Sequence, residues 1–177
     1  MSIVSKINEQ VRIFHENTNS SYVNNIFWEI TPKIYERVVQ LAVTENEARR
    51  FDADKDRLMS LNGTCIHGRC WYDPIHVIFN ETIIRKYMDE KNLTWIGTVH
   101  HEYSHAVDLR IILSDLKPDL PDEIFTWEYY SSFTLWSEFF ARKTGFERFF
   151  KETVAKDKHA TNLTSLQYAN AYIRNSE

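Results

Sequence analysis

Apolar residues recur every three to four positions at the start of the chain. Ile3, Ile7, Val11 and Phe14 line one side of a helix drawn over Ile3 to Glu16. A polar break, Asn17-Thr18-Asn19-Ser20-Ser21, follows. The next helical pattern, Ile34, Val38, Val39, Leu41 and Ala42, begins just after Pro32, a residue suited to a first helical turn. Between about Arg57 and Asn80 the texture changes. Leu58, Met59 and Leu61 lead into Asn62-Gly63, and a second turn signal sits at His67-Gly68. Cys70-Trp71-Tyr72 and Ile75-His76-Val77-Ile78-Phe79 come next. Aromatic and β-branched residues bounded by Gly, Asn and Pro predict two or three short antiparallel strands here. Asn80 then caps a helix carrying Ile83, Ile84 and Tyr87. A further helix is expected from about Leu93 to Leu113, and a break at Lys117-Pro118-Asp119-Leu120-Pro121. Beyond it a long helix runs from about Glu123 to Gly145, with one or two shorter ones to the end. Helices around a small, mainly antiparallel sheet make an α+β arrangement.

At 177 residues the chain fits one domain. Its parts are N-terminal helices over about 1–55, a sheet and central helix over about 56–113, and the last helices over about 121–177. The net charge of −4, with Lys and Arg scattered, speaks against a nucleic-acid partner. No stretch reaches the roughly 18 apolar residues of a membrane span. The first ten residues lack the basic and apolar segments of a signal peptide, so a cytoplasmic protein is expected. Cys65 and Cys70 are too few for a disulfide scaffold. Cys65-Ile66-His67-Gly68-Arg69-Cys70, even with His76, has no zinc-finger or ribbon spacing and reads as a hairpin with two reduced thiols.

The chemistry lies in His101-Glu102-Tyr103-Ser104-His105, an H-E-x-x-H pattern. On a helix, positions i and i+4 share one face, so two imidazoles can reach one Zn²⁺ at roughly 2.0–2.1 Å. Glu102 sits about 100° round the helix from His101, where it reaches the metal's water without binding the metal. Zinc lowers that water's pKa towards about 7, and the carboxylate can take its proton and pass it to a leaving amine. Trp95, Ile96, Val99, Tyr103, Ala106 and Val107 form an apolar opposite face, while Gly97 leaves room one turn before His101.

A catalytic zinc needs three protein ligands and an open position. The site six residues past His105 is Ile111, so the third ligand lies elsewhere. Glu138 is the best candidate, the one large polar group on a stripe of Ser131, Thr134, Ala141 and Gly145 that permits close helix approach. Glu123 and Glu128 are weaker candidates. Asp108, on the face of His105, is placed as an acceptor for a ligand imidazole N–H, as an alternative ligand, or as a solvated side chain. Tyr129, Tyr130, His76 and Arg142 are candidate donors to a developing oxyanion. The aromatic run from Trp127 to Phe140 is read as core.

His-Glu-x-x-His followed by Trp136-Ser137-Glu138-Phe139-Phe140-Ala141-Arg142 resembles the small gluzincins, zincin-like peptidases, and among them the ImmA/IrrE type. The resemblance covers about Arg69 to Phe146. It implies His101, His105 and Glu138 as ligands and Glu102 as general base. It also implies the strand at Ile75–Phe79 as the edge onto which an extended protein or peptide substrate adds. The expected function is zinc-dependent hydrolysis of a peptide bond. Two alternatives stay open: an inactive zinc-binding interaction module, and a metal-dependent hydrolase or toxin component acting on another bond. Two imidazoles and a carboxylate also suit Mn²⁺ or Fe²⁺.

Overall fold

A computed structural model describes residues 2–18 and 23–156. The first helix, α1 (Ile3–Asn17), is capped by Ser2, whose hydroxyl accepts from the Ser5 N–H. Strand β1 (Ile26–Thr31) leads into three short helices, α2 (Ile34–Leu41), α3 (Glu45–Ala53) and α4 (Lys55–Ser60). Strands β2 (Gly63–Ile66) and β3 (Ile75–Asn80) come next. Helices α5 (Glu81–Asp89) and α6 (Thr94–Leu116) precede a 3-10 segment at Pro121–Thr126, and α7 (Tyr130–Lys156) ends the described chain. No described helix is long and apolar enough to cross a membrane.

The sheet order is β1-β3-β2. β1 runs parallel to β3 from Ile26 opposite Ile75 to Thr31 opposite Asn80, and β2 runs antiparallel, Gly63 opposite Phe79. Side chains alternate between faces. Ile26, Ile75, Val77 and Phe79 therefore pack with Ile7, Val11 and Phe14 of α1 and with Trp95, Val99 and Tyr103 of α6. Ile66 and Ile78 point the other way, onto Ile34, Val38 and Leu58. α6 thus lies on one side of the sheet and the short helices on the other.

The α+β order stands, but the sheet is mixed and not mainly antiparallel, because β1 adds a parallel ladder. β1 lies between a polar break and Pro32, and as an edge strand it is mostly half-buried, so it lacks a sharp apolar alternation. The residues from Arg57 to Ser60 belong to α4 and not to the strand region. The long final helix starts later and ends later than its sequence pattern predicts, since Pro121–Thr126 forms the 3-10 segment. The helices expected after it fall at residues 157–177, outside the described residues.

α7 meets α6 through Ser137, Ala141, Gly145 and Phe149, all buried. The expected small-residue stripe is therefore used from Ala141 onward, whereas Ser131 and Thr134 are exposed. The aromatic run is not core: Tyr129, Leu135, Trp136, Phe139 and Phe140 are exposed. The small side of α7 has taken the contact, and its bulky side faces outward.

Two buried polar clusters hold the scaffold. His100 Nε2 on α6 lies 3.3 Å from Gln10 Oε1 on α1, which also accepts from Arg148 Nε on α7 at 3.1 Å. At the N-terminus of α3, Thr44 Oγ1 accepts from the Glu47 N–H at 3.1 Å, and Glu47 Oε2 accepts from the Val43 N–H at 2.8 Å. This reciprocal arrangement resembles a capping box. Glu47 Oε1 is 3.1 Å from His67 Nε2 just past β2. The loop that follows is pinned to α6, because Arg110 donates to the carbonyls of Trp71 and Asp73. A Cβ at Gly68 would stand 2.3 Å from Asp73 Cβ, so the turn requires glycine there.

Burial pushes the Glu47 carboxyl up, but His67, the Val43 N–H and Arg50 outweigh it and hold it below the ordinary 4.5. A depressed folded pKa contributes stability above the unfolded value that is lost as pH falls through the folded one. Glu47→Gln is expected to cost about 1–3 kcal/mol at neutral pH, with the gap closing in acid. Chemical denaturation of both proteins at pH 7 and pH 3 checks this; an identical gap at the two pH values would contradict it.

Candidate metal centre

α6 starts where Asn92 Oδ1 accepts from both the N–H and the hydroxyl of Thr94, at 2.9 and 2.6 Å. Its first seven residues, Thr94 to His100, are all buried. A helix buried on every side is a rigid mount, and the next turn carries His101, Glu102 and His105. The carboxylate of Glu138 comes from α7, packed across it.

His101 Nε2 and His105 Nε2 are 3.1 Å apart, and His105 Nε2 is 3.1 Å from Glu138 Oε2. His101 Nε2 lies 4.0 Å from Glu138 Oε1. One donor atom from each of the three falls within 4.8 Å of the others. Tetrahedral zinc with bonds of roughly 2.0–2.1 Å places its donors about 3.3 Å apart. The donor set and its convergence therefore fit a divalent ion of that size.

Two contacts orient these donors. His105 Nδ1 is 2.8 Å from Ser137 Oγ, and Ser137 Oγ donates to Asp108 Oδ2 at 2.7 Å. An ionised Asp108 only accepts, so the hydroxyl proton points to it and the Ser137 lone pair receives the His105 Nδ1–H. Nε2 is then the ring nitrogen turned towards Glu138 and His101: protonated, it donates to Glu138 Oε2, and deprotonated, it offers its lone pair to a metal. Arg142 Nε donates to Glu138 Oε1 at 2.6 Å, which turns Oε2 towards His105.

Electrostatics follow the burial. Burial first, then His105, pushes the His101 imidazole down to about 4, the neutral form a metal needs. Burial also acts to lower His105, but the carboxylates of Glu138, Glu102 and Asp108 outweigh it and raise it. The hydrogen bond from His105 pulls Glu138 down to about 2 against its own burial, with Arg142 and His101 assisting. Burial lifts Glu102 to about 7, with His105 opposing and Glu138 reinforcing.

Glu102 lies against the start of β2. A Cβ on Gly63 would stand 2.8 Å from Glu102 Cγ, so the glycine makes the space that the glutamate side chain fills. Gly63, Thr64 and Cys65 form one wall of a cleft of about 510 Å³, and Thr134, Leu135, Glu138 and Arg142 of α7 form the other. His101, Glu102 and His105 are its floor.

Of the residues picked out from sequence, His101, Glu102, His105, Glu138 and Arg142 meet in this cleft. Asp108 reaches His105 only through Ser137. His76 does not come near: alternation sends it to the opposite sheet face from α6, where its ring lies 6.5 Å from that of Phe27. Tyr129 is exposed, meets the Trp127 ring edge-on and does not line the cleft. Tyr130 lines a neighbouring cavity instead. Glu123 and Glu128 are exposed and outside the cluster. Both cysteines are free thiols, and among the described residues His101, His105 and Glu138 form the one group of three potential ligands.

The strand at Ile75–Phe79 is not an edge. β3 is paired on both sides, by β1 and β2, and has no free backbone row to offer. Among the described residues β2 pairs only with β3, and it is β2 that borders the cleft. The edge role was what the resemblance implies, whereas the apolar run of this strand suits the central position that its pairing gives it. Sequence reasoning also missed Ser137 and Gly63. Ser137 adjoins Glu138, and its role depends on an Asp108 that only the fold brings close; Gly63 is legible in Asn62-Gly63 only as a turn.

No family model matches the chain, and neither a curated protein nor a solved structure matches it.

Ser137→Ala removes the acceptor that fixes the His105 ring. Zinc affinity is expected to fall about 10–100-fold with the helical content unchanged. Competition with a chromophoric chelator checks this; an unaltered affinity would show that Asp108 and Ser137 do not orient the ligand.

Proposed function

We propose that this chain is a zinc-dependent peptidase, a zincin-like protein resembling the small gluzincins of the ImmA/IrrE type, with His101, His105 and Glu138 as metal ligands. The observation that carries this reading is a division of labour. Three donors converge, and a fourth residue, the acidic Glu102, lies buried beside them without joining the set. A structural zinc site fills its fourth position with protein, whereas a catalytic one leaves it open. Among the described residues no fourth ligand converges.

A zinc ion in this site supplies Lewis acidity towards a carbonyl and towards water. The chain's own residues do the rest. Glu102 takes the proton of the attacking water and returns it to the departing amine, a role that needs a carboxylate close to the reacting atoms and not bound to the metal. Arg142 holds Glu138 in place. Among the described residues no strand pairs with the outer edge of β2, so an extended peptide can add there along the cleft as a further strand. That geometry favours a peptide or an unfolded protein segment over a compact small molecule.

The test is cleavage of an unfolded protein and a mixed peptide library by zinc-loaded wild type and Glu102→Gln. We expect cleavage by wild type and a loss of about 10²-fold or more in Glu102→Gln at equal zinc content. A zinc-loaded wild type that cuts no peptide bond, or a Glu102→Gln variant that cuts as fast, would contradict the reading.

A further inference from the structure

A second cavity, of about 200 Å³, opens beside the metal cleft on the far side of His105. The two share Thr64, Cys65, His105 and Thr134 as lining, so the cavities are neighbours with these residues between them. We infer that this cavity is a specificity pocket, which takes a large apolar side chain of the leucine or phenylalanine class from a substrate residue next to the cut bond. The inference rests on the peptidase reading above.

Size and lining support it. A cavity of about 150 Å³ walled by aliphatic and aromatic side chains accepts a benzene ring. This one is somewhat larger, with Val38, Leu58, Ile66, Leu109 and Phe133 among its walls. The ionisable groups in its lining, Glu47, His67 and His105, are already engaged, as is Ser137. Glu47 faces His67 and the Val43 N–H, and Ser137 bridges His105 and Asp108. A charged guest would have to compete with those partners and lose its own water, whereas an apolar guest only sheds water.

The outer wall comes from the segment that joins the two site helices. Ile124 of Pro121–Thr126 is buried and anchors it. The neighbouring Phe125 turns into the cavity, with its ring 5.1 Å from that of Tyr130 and 6.3 Å from that of His67. The Arg50 guanidinium lies 4.2 Å from the Phe125 ring centre and holds it from outside. Phe125 therefore sets the depth of the pocket. Thr134, exposed on α7, lines both cavities.

The experiment has two readouts on wild type, Phe125→Ala and Thr134→Trp. First, zinc-loaded protein is given peptides that vary at the residues on either side of the cut bond. Wild type is expected to prefer Leu or Phe over Ala, Asp or Lys at one position by about tenfold or more. Phe125→Ala should move the preference towards Trp, and Thr134→Trp should flatten it. Second, zinc-free protein is titrated with benzene while the methyl signals of Val38, Leu58, Ile66 and Leu109 are followed by NMR. Those signals should shift in wild type and stay still in Thr134→Trp. Cleavage without an apolar preference, or with a preference for Lys or Arg, overturns the pocket and leaves the peptidase reading intact. Benzene-induced shifts without any peptide cleavage overturn the peptidase reading, and the specificity assignment with it. Absence of both cleavage and methyl shifts overturns the two together.

Discussion

Everything at the site depends on how closely α7 can lie against α6. Ser137, Ala141 and Gly145 carry almost no side-chain bulk, so the helix that bears Glu138 comes within reach of the imidazoles on its neighbour. Helices held apart by larger residues could not place a carboxylate 3.1 Å from His105 Nε2. The same contact buries Ser137, and only there does its hydroxyl link His105 to Asp108. One packing decision thus sets the distance from the Glu138 carboxylate to His105 and the orientation of the His105 ring together.

Burying so many polar groups is costly unless each has a partner. The arrangement meets that cost by sharing. Glu138 is divided between His105 and Arg142, and Ser137 between His105 and Asp108. Glu102 is the exception. It is buried, among the described residues no arginine or lysine acts on its charge, and its carboxyl is lifted to about 7. A carboxylate left in that condition is a poor choice for stability and a good one for moving protons. The scaffold around it is correspondingly firm, with α6 buried on all sides through its first turns and tied to α1 and α7 by the Gln10 cluster.

Helical elements with strong periodicity were legible in the sequence. α1, α5 and α6 lie where their apolar spacing places them, and Asn80 caps α5 as its position before Ile83 and Ile84 implies. The meeting of His101, His105 and Glu138 was legible too, because i and i+4 spacing fixes the histidines and the small-residue stripe singles out Glu138. What could not be read depended on long-range pairing. β1 gains strand character only by docking on β3, and His76 departs from the site because the register sends it to the other face. The aromatics of α7 misled for a related reason. Composition identifies them as core material, but the contact with α6 had already been taken by smaller residues on the opposite side.

The claim on which the rest stands is that two helices supply three ligands to one metal ion. Its most direct test is the zinc content of purified protein, wild type beside Glu138→Ala, by elemental analysis after equilibration with excess zinc and removal of free ion. The account predicts about one zinc per wild-type chain and little or none in a folded Glu138→Ala. A wild type without zinc, or a variant that holds it as well, would contradict it.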